Sequence, residues 1–489
     1  MYIEKIKLHN FKGFKEDHEI IFDKGVNFFV GDNNCGKSSI FEAINFIRSK
    51  KERSEVITKT ELEGNGFVSV EIKFMGDDLE ALVKTDALRK YQSYLIDTNG
   101  QKSLRIMRSS EESEVTQGSQ KKKLDIKNVR VFNSETNKFE NPTGIDNTIT
   151  ALFDAQFVWA DTNSEDISDF SKTKISGKII NALTKDFVKS STWGKFQESH
   201  REAFGAGENS LTKTLKPVEE KIQNILSQQY GDTEVKFSFS LPELESFFKT
   251  GNIDLSEDGI KTKSSEKGTG MQRALALALI QVYADISSAD ENGGAKPILF
   301  FIDEPETFLH PQAQNKLLDA LEKISEHSQI FIITHSPYLL KKYKKDTHSM
   351  SVFSREKGLN KVEAGKEFDL FSTSSPTWGE INYYAFGVSS IEFHNELYGF
   401  IQAKAIMEDE KNYFENDFEQ YLVGNGVRQD QTYIRLNRDG TTENQTRTLP
   451  TKIRNIIHHP ENTYNQKYTE EELESSIKEL ILLQKNDEN

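Results

Sequence analysis

An α/β fold with a mostly parallel sheet, an antiparallel lobe, a helical insertion and a mostly helical C-terminal domain is predicted by three observations. A strand, Val26-Asn27-Phe28-Phe29-Val30, runs straight into a glycine-containing loop and then into apolar residues at helical spacing. Two later strands, at 298–302 and 330–333, are apolar on both faces and flank a helix expected over about 311–326, the pattern of buried parallel strands. Alternating segments at 66–75, 103–107, 129–132 and 156–159 read as further strands, taken as antiparallel.

The opening of the chain alternates: Ile3, Ile6, Leu8 and Phe11 are apolar and Lys5, Lys7 and Lys12 are polar, a strand and not a signal peptide. Ile20-Ile21-Phe22 is a second short strand, parted from the third by the turn Asp23-Lys24-Gly25. In the loop-helix segment Ile40, Phe41, Ile44 and Ile47 make one apolar face. Residues 109–125 are polar and read as a surface excursion. Residues 164–230 read as helical, with Trp193, Phe196, Phe204, Ile222 and Ile225 available for packing, punctuated by Gly205-Ala206-Gly207 and Pro217. Val235–Ser240 alternates and is expected as a strand; a turn at 267–270 and an apolar helix at 271–285 follow. The pattern weakens from about 350, and 380–485 reads as mostly helical.

The 489 residues suffice for roughly two to four domains. Hydrophobic content of 36% and charged content of 28% describe a globular chain. A run of 18 or more apolar residues is absent, so no membrane span is expected. One cysteine, Cys35, leaves no internal disulfide and fits a reducing cytoplasm. The net charge of −15 argues against a surface that coats nucleic acid generically, while a local basic groove stays open.

Gly31-x-x-x-x-Gly36-Lys37-Ser38, set between a strand and a helix, is a P-loop. Its backbone N–H groups and the helix N-terminus are expected to cradle a β-phosphate. The nucleotide-binding positions are then Gly31, Asp32, Asn33, Asn34, Cys35, Gly36, Lys37, Ser38 and Ser39. Lys37 is expected to neutralise the β/γ oxygens of ATP and Ser38 to ligate Mg2+. Asn34, where related loops often carry glycine, tolerates left-handed geometry. The strand at 298–302 ends in Asp303 and Glu304; Asp303 is a second magnesium candidate, and Glu304 is expected to orient or polarise the attacking water. His335, in Thr334-His335-Ser336 after the next buried strand, is placed to report the γ-phosphate. The glycine-rich turn Lys267-Gly268-Thr269-Gly270, before an Ala/Leu-rich helix, is an anion site in waiting.

In this order the motifs resemble the ABC-type ATPases of the SMC/RecF/OLD group, over about residues 1–45 and 265–340. The resemblance implies ATP sandwiched between two heads, the P-loop of one copy facing the glycine-rich signature turn of another, hence a homo-oligomer of at least two. It also implies that Leu309-His310-Pro311 communicates across that pair. The implied layout is a head lobe with the P-loop at 1–160, a helical insertion at 161–250, a head lobe with signature, acid pair and His335 at 251–350, and a C-terminal interaction domain at 351–489. Two departures stand out: Lys267 aligns with the usual signature serine, and the family's magnesium-sensing Gln has only Gln156 as a candidate.

Three phrases, FVWADTN, EKGTGMQRALALALIQVYA and IRNIIHHPEN, resemble ATPase subunits of bacterial anti-phage abortive-infection systems, of the PARIS or AbiL type. That likeness implies a sensor of a phage-derived trigger that controls a separate toxic nuclease. Relatives with a fused Toprim nuclease need an Asp-x-Asp cluster, and none follows His335. In the tail, Arg454-Asn455-Ile456-Ile457-His458-His459 resembles the Arg-Asn…His pattern of HEPN ribonucleases, with a docking element as the alternative. Two rival functions are therefore a DNA-repair or chromosome-maintenance ATPase and an ATPase-controlled ribonuclease acting through the tail.

Overall fold

The computed structural model describes the chain except residues 50–65, 118–119, 161–168, 172–173, 185–186, 206–209, 242–243, 249–250, 252, 289–295, 345, 366–367, 410–413 and 487–489. The last three residues of the FVWADTN phrase, and Ala206 and Gly207 of the glycine-rich break, lie outside the described residues. The chain divides into two compact units, Met1–Ala160 with Lys296–Asn489, and Asp161–Ala295.

Up to residue 140 the chain builds an antiparallel sheet from β1 (Tyr2–His9), β2 (Asp17–Ile21), β4 (Ser69–Met75), β5 (Ile96–Thr98), β6 (Gln101–Ser109), β9 (Val129–Asn133) and β10 (Lys138–Glu140). The strand order is β10-β9-β6-β4-β1-β2, with β5 on β6. Ile3 and Ile6 are three apart yet both are fully buried, because the β1–β4 register slips between Ile3 and Lys5. Three strands stand apart from this sheet. β3 (Val26–Gly31) leaves for a second sheet and runs into α1 (Lys37–Arg48). The expected surface excursion is a separate hairpin, β7 (Ser113–Gln117) and β8 (Gln120–Leu124), laced by Glu112–Lys123 at 2.7 Å and Glu114–Lys121 at 3.5 Å.

Helix α1 turns Ile40, Phe41, Ile44 and Ile47 into the core shared with Ile72, Phe74, Leu104 and Ile106 of the antiparallel sheet. Its C-terminal end is capped from β6. Arg108, fully buried, donates to the carbonyls of Ile47, Ile126 and Lys127 at 3.1, 3.0 and 2.9 Å. Burial pulls its pKa down to about 10, against the opposing pull of Asp146 and Asp125. The guanidinium thus supplies donors to a helix end and a turn that water does not reach. Arg108→Met keeps much of the volume and strands these acceptors. We expect it to cost about 2–4 kcal/mol, read as a lowered urea midpoint of the whole chain.

The second unit contains α2 (Ile175–Thr184), α3 (Ser191–Phe204), α4 (Leu211–Tyr230), the hairpin β12 (Asp254–Glu257) and β13 (Ile260–Lys263), and α5 (Thr269–Ser288). Ser190 and Ser210 cap α3 and α4 by accepting from Trp193 N and Lys213 N. Of the apolar residues expected to pack, Trp193 is buried, against Phe196 at 5.1 Å and Phe247 at 6.2 Å, while Phe204 and Ile225 stay partly exposed. Two expectations change here. Helix α4 runs through Pro217, which forgoes one ladder bond. The segment Val235–Ser240 is extended without belonging to a strand ladder; Val235 N and Phe237 N donate to Gln223 and Glu219 of α4 at 3.4 and 2.6 Å. Its alternating apolar residues meet a helix surface, with Phe239 5.9 Å from Phe204.

The second sheet has the order β11-β14-β15-β3-β16-β17, built from β11 (Asp154–Val158), β14 (Ile298–Asp303), β15 (Gln329–Ile333), β3, β16 (His348–Glu356) and β17 (Leu359–Ala364). Its first five strands are parallel, and β17 is antiparallel on the edge. The expectation for 156–159 is corrected here: β11 pairs in parallel with β14 and not in the antiparallel lobe. All residues of β14 and β15 are buried, as a sheet covered on both faces requires. Phe157, Phe301 and Phe331 occupy one register row, and successive rings stack at 4.8 and 4.7 Å. Phe41 of α1 meets this row edge-on at 5.2 Å from Phe301, which seats the helix over the sheet. Helix α6 (Pro311–Ser325) connects β14 to β15.

The C-terminal region contains α7 (Trp378–Phe386), α8 (Ile391–Asp409), α9 (Glu415–Gly424), the hairpin β18 (Gln429–Leu436) and β19 (Thr442–Thr448), α10 (Leu449–His458) and α11 (Glu470–Asn486). A separate core of Phe393, Leu397, Ile401, Phe418, Leu422, Ile453, Ile477 and Leu480 holds them. The mostly helical expectation holds apart from the β18–β19 hairpin. Beside the apolar core runs a polar one. Glu419, fully buried, accepts from Thr448 N and Oγ1 at 2.6 and 2.9 Å and so anchors the capped start of α10.

Candidate functional site

Strands β3, β14 and β15 lie side by side and end on the same edge of the sheet, so the residues that follow them converge. The loop after β3 is shaped by its two glycines. Gly31 has φ +121°, and a Cβ there would lie 1.9 Å from the Phe353 carbonyl of β16. Gly36 has φ +94°, with Phe14 and Asn360 against it. Asn34 does adopt left-handed geometry, φ +58°, as its residue type allows. Asp32, Asn33 and Asn34 are exposed at the loop tip; Cys35 is fully buried, its Sγ donating to the Asp32 carbonyl at 2.7 Å. Ser39 N closes the first helical turn on the Gly36 carbonyl at 3.0 Å. Helix α1 has no capping side chain and no acidic residue in its first turn, so its N-terminal end faces the loop with its positive pole uncompensated.

Lys37 is folded back into this loop, Nζ donating to the carbonyls of Gly31 at 3.0 Å and Asp32 at 2.6 Å. Ser38 Oγ donates to Asp303 Oδ2 at 3.2 Å across 265 positions of sequence. Next to Asp303, Glu304 has φ +46°, and its N–H donates to the Ile333 carbonyl at 2.9 Å. That bond ties the end of β14 to the end of β15. His335 Nε2 stands 4.0 Å from Glu304 Oε1, with about a third of each side chain exposed. Burial lowers the His335 pKa, Lys37 lowers it further, and Glu304 and Asp32 oppose them. The imidazole is accordingly neutral at pH 7, able to donate from one nitrogen.

The geometry therefore brings together the P-loop residues, Asp303, Glu304 and His335. His310 and Pro311 prove to be a helix start: His310 caps α6, accepting from Gln312 N at 3.4 Å, and Pro311 follows in the first turn. Gln156 is committed elsewhere. It pairs with Phe300 in mid-strand, and its amide donates to Asp154 Oδ2 at 2.7 Å. The glycine-rich turn belongs to the second unit. Helix α5 begins at Thr269, two residues earlier than expected, and Gly268 has open space where a Cβ would stand. Lys267 is ion-paired with Glu257 of β12, while Gln272 donates back to its carbonyl at 2.7 Å.

The donor set fits a hard cation: one hydroxyl and one carboxylate converge, leaving other positions to phosphate and water, as Mg2+ prefers. Among the described residues no group of three or more His, Cys, Asp or Glu forms a metal cage.

The AAA ATPase domain matches residues 1–340. The chain belongs to the AAA ATPase domain family. This ATPase is 30% identical to the Old nuclease of Escherichia phage P2 over 392 residues, covering 76% of the chain and 63% of that protein. It is 24% identical to Endonuclease GajA of Bacillus cereus (strain HuB5-5), covering 70% of the chain and 58% of the relative, so it spans about six-tenths of either protein's length. A shorter stretch, 20% of the chain and 12% of the relative, is 35% identical to the DNA double-strand break repair Rad50 ATPase of Pyrococcus abyssi. A solved SMC head bound to the C-winged helix domain of ScpA matches 74% of this ATPase and 97% of that chain at 18% identity, with a TM-score of 0.41. Among the described residues no helix is long and apolar enough to cross a membrane.

One group escaped sequence reasoning. Glu306, two residues past Glu304, reaches the loop of His335; an acid that close to the acid pair was the available signal.

Proposed function

We propose that this ATPase is the ATP-hydrolysing switch of a cytoplasmic anti-phage defence system, responding to a phage-derived trigger and controlling a nuclease carried by a separate protein. The observation that carries the reading is the convergence of Ser38, Asp303, Glu304 and His335 on the P-loop. The loop N–H groups and Lys37 bind the phosphates, with Asp32, Asn33, Asn34, Cys35, Gly36 and Ser39 shaping the cradle. Ser38 and Asp303 hold Mg2+, which supplies charge neutralisation at the phosphate oxygens when bound. Glu304 orients the attacking water and accepts its proton; neutral His335 donates to the γ-phosphate. ATP brings two copies together, the glycine-rich turn of one, with Lys267, Gly268, Thr269 and Gly270, meeting nucleotide on the other. A link to nuclease action is supported by the two long relatives, both named as nucleases.

A second reading, a ribonuclease in the C-terminal region, is favoured by one arrangement. Arg454 and His458 lie one turn apart on α10, and the Arg454 guanidinium sits over the Tyr398 ring at 5.3 Å. Fully buried His394 lies within the field of both, its pKa pulled to about 4 by burial first. The His458 pKa is lowered as well, by burial, Arg454 and His459, so this exposed imidazole is free to act as a base near neutral pH. His459, by contrast, is paired with Glu461 at 3.2 Å. Incubating the purified chain with single-stranded RNA and DNA, with and without ATP, separates the two. The first reading expects no cleavage by the chain alone. RNA cleavage that is lost in Arg454→Ala and His458→Ala would replace it with the second.

A further inference from the structure

The loop carrying His335 is held by side chains from the turn and helix that follow β14. Glu306 Oε1 accepts from Thr334 Oγ1 and from the backbone N–H of His335, both at 2.8 Å. Thr334 Oγ1 in turn accepts from Ser336 N at 2.9 Å, so one carboxylate oxygen organises three consecutive residues. Its other oxygen, Oε2, is shielded from solvent and has no hydrogen-bond partner among the described residues. Burial raises the Glu306 pKa, and Glu304 adds to the rise. Burying a carboxyl with half its capacity unused is costly, and an apolar side chain would avoid that cost while losing both contacts to the loop. On the far side Ser336 Oγ donates to Gln314 of α6, whose Nε2 donates to the Leu309 carbonyl at 3.0 Å.

We propose that Glu306 is a positioning residue for ATP hydrolysis: it fixes the Thr334–Ser336 backbone so that the His335 imidazole stays beside Glu304. In this role it acts through His335 and needs no contact of its own with the nucleotide. The proposal rests on the assignment of Glu304 and His335 to the hydrolytic site. Because the carboxylate works here only as an acceptor, an amide oxygen can replace it, and this distinguishes positioning from chemistry.

The test compares Glu306→Gln, Glu306→Ala and Thr334→Val by steady-state ATP hydrolysis, thermal melting and NMR titration of the His335 ring. His335 is assigned by difference from a His335→Asn variant. Glu306→Gln should stay within about three-fold of the parent. Glu306→Ala should lose roughly 10–100-fold in kcat with KM nearly constant, the penalty of a misplaced group. Thr334→Val, which removes one of two donors, should fall between them. The loop keeps its Gln314 anchor in each variant, so melting temperatures should change little. The His335 pKa should rise toward its ordinary value in Glu306→Ala and stay lowered in Glu306→Gln.

Equal losses in Glu306→Gln and Glu306→Ala would overturn the proposal in favour of carboxylate chemistry. An unchanged His335 titration in Glu306→Ala would overturn it outright. Full turnover in His335→Asn would instead sink the underlying assignment, while the ring titration still decides whether Glu306 fixes the loop.

Discussion

Replacing Lys37 with alanine is expected to abolish ATP binding while leaving the head folded. Lys37 is only 6% exposed, and its ammonium lies between the Gly31 and Asp32 carbonyls. In that place it is the cation of a concave loop whose remaining donors are backbone N–H groups at a helix N-terminus. Each charge-assisted contact it gives to phosphate is worth about 1.5–3 kcal/mol. Two such contacts correspond to a roughly hundred- to ten-thousand-fold loss of affinity. Alanine keeps α1 helical, and the core face of Ile40, Phe41, Ile44 and Ile47 is untouched. Calorimetric titration with ATP and Mg2+ measures the loss, and circular dichroism checks the fold. Affinity within three-fold of the parent would remove Lys37 from the site.

Glu304→Gln should have the opposite profile, with nucleotide bound and hardly turned over. The amide is isosteric and can still accept from Thr307 Oγ1, which reaches Glu304 Oε2 at 3.2 Å. The backbone at φ +46°, fixed by the bond to the Ile333 carbonyl, is retained. Only the negative charge and the proton acceptor go. The removal of a general base lowers the rate by about 10²–10⁴, so we expect kcat to fall roughly a hundred-fold or more. ATP affinity should hold or improve, since in the proposed role this carboxylate would face the γ-phosphate and its repulsive charge is gone. If ATP pairs two heads, this variant should accumulate as an ATP-dependent dimer in sedimentation. Turnover equal to the parent, measured as phosphate release, would exclude Glu304 as the base.

The parts of the molecule legible in the sequence are those where local chemistry alone dictates structure. Gly31 to Ser38 could be placed because a strand, a phosphate loop and a helix each leave a strong local pattern. The runs at 298–302 and 330–333 could be placed because covered parallel strands are apolar throughout. What stayed hidden depends on neighbours. Strand β11 has the same alternating look whether it pairs in parallel or antiparallel, and only β14 beside it decides. Val235–Ser240 alternates like a strand but lies against the side chains of α4. The β18–β19 hairpin is polar on most positions, so its strand pattern is faint even though Asp439-Gly440 marks the turn. Arg108 and Glu306 are easily missed for a further reason: their partners are backbone atoms far along the chain or on another loop, and a charged residue read in isolation looks like surface.

The order of strands in the parallel sheet also bears on how the protein is made. β3 is flanked by β15 and β16, so the strand that leads into the phosphate loop finds its partners only after residues 329–356 have been added. At roughly 5–20 residues per second of synthesis, that strand and its apolar face wait on the order of 15–60 s on the ribosome. Ser38 meets Asp303 within the same late window. A chain halted before β14 therefore carries an intact phosphate-loop sequence with no sheet to mount it on, so prematurely terminated copies are born unable to hydrolyse ATP and with a sticky strand exposed to chaperones and proteases.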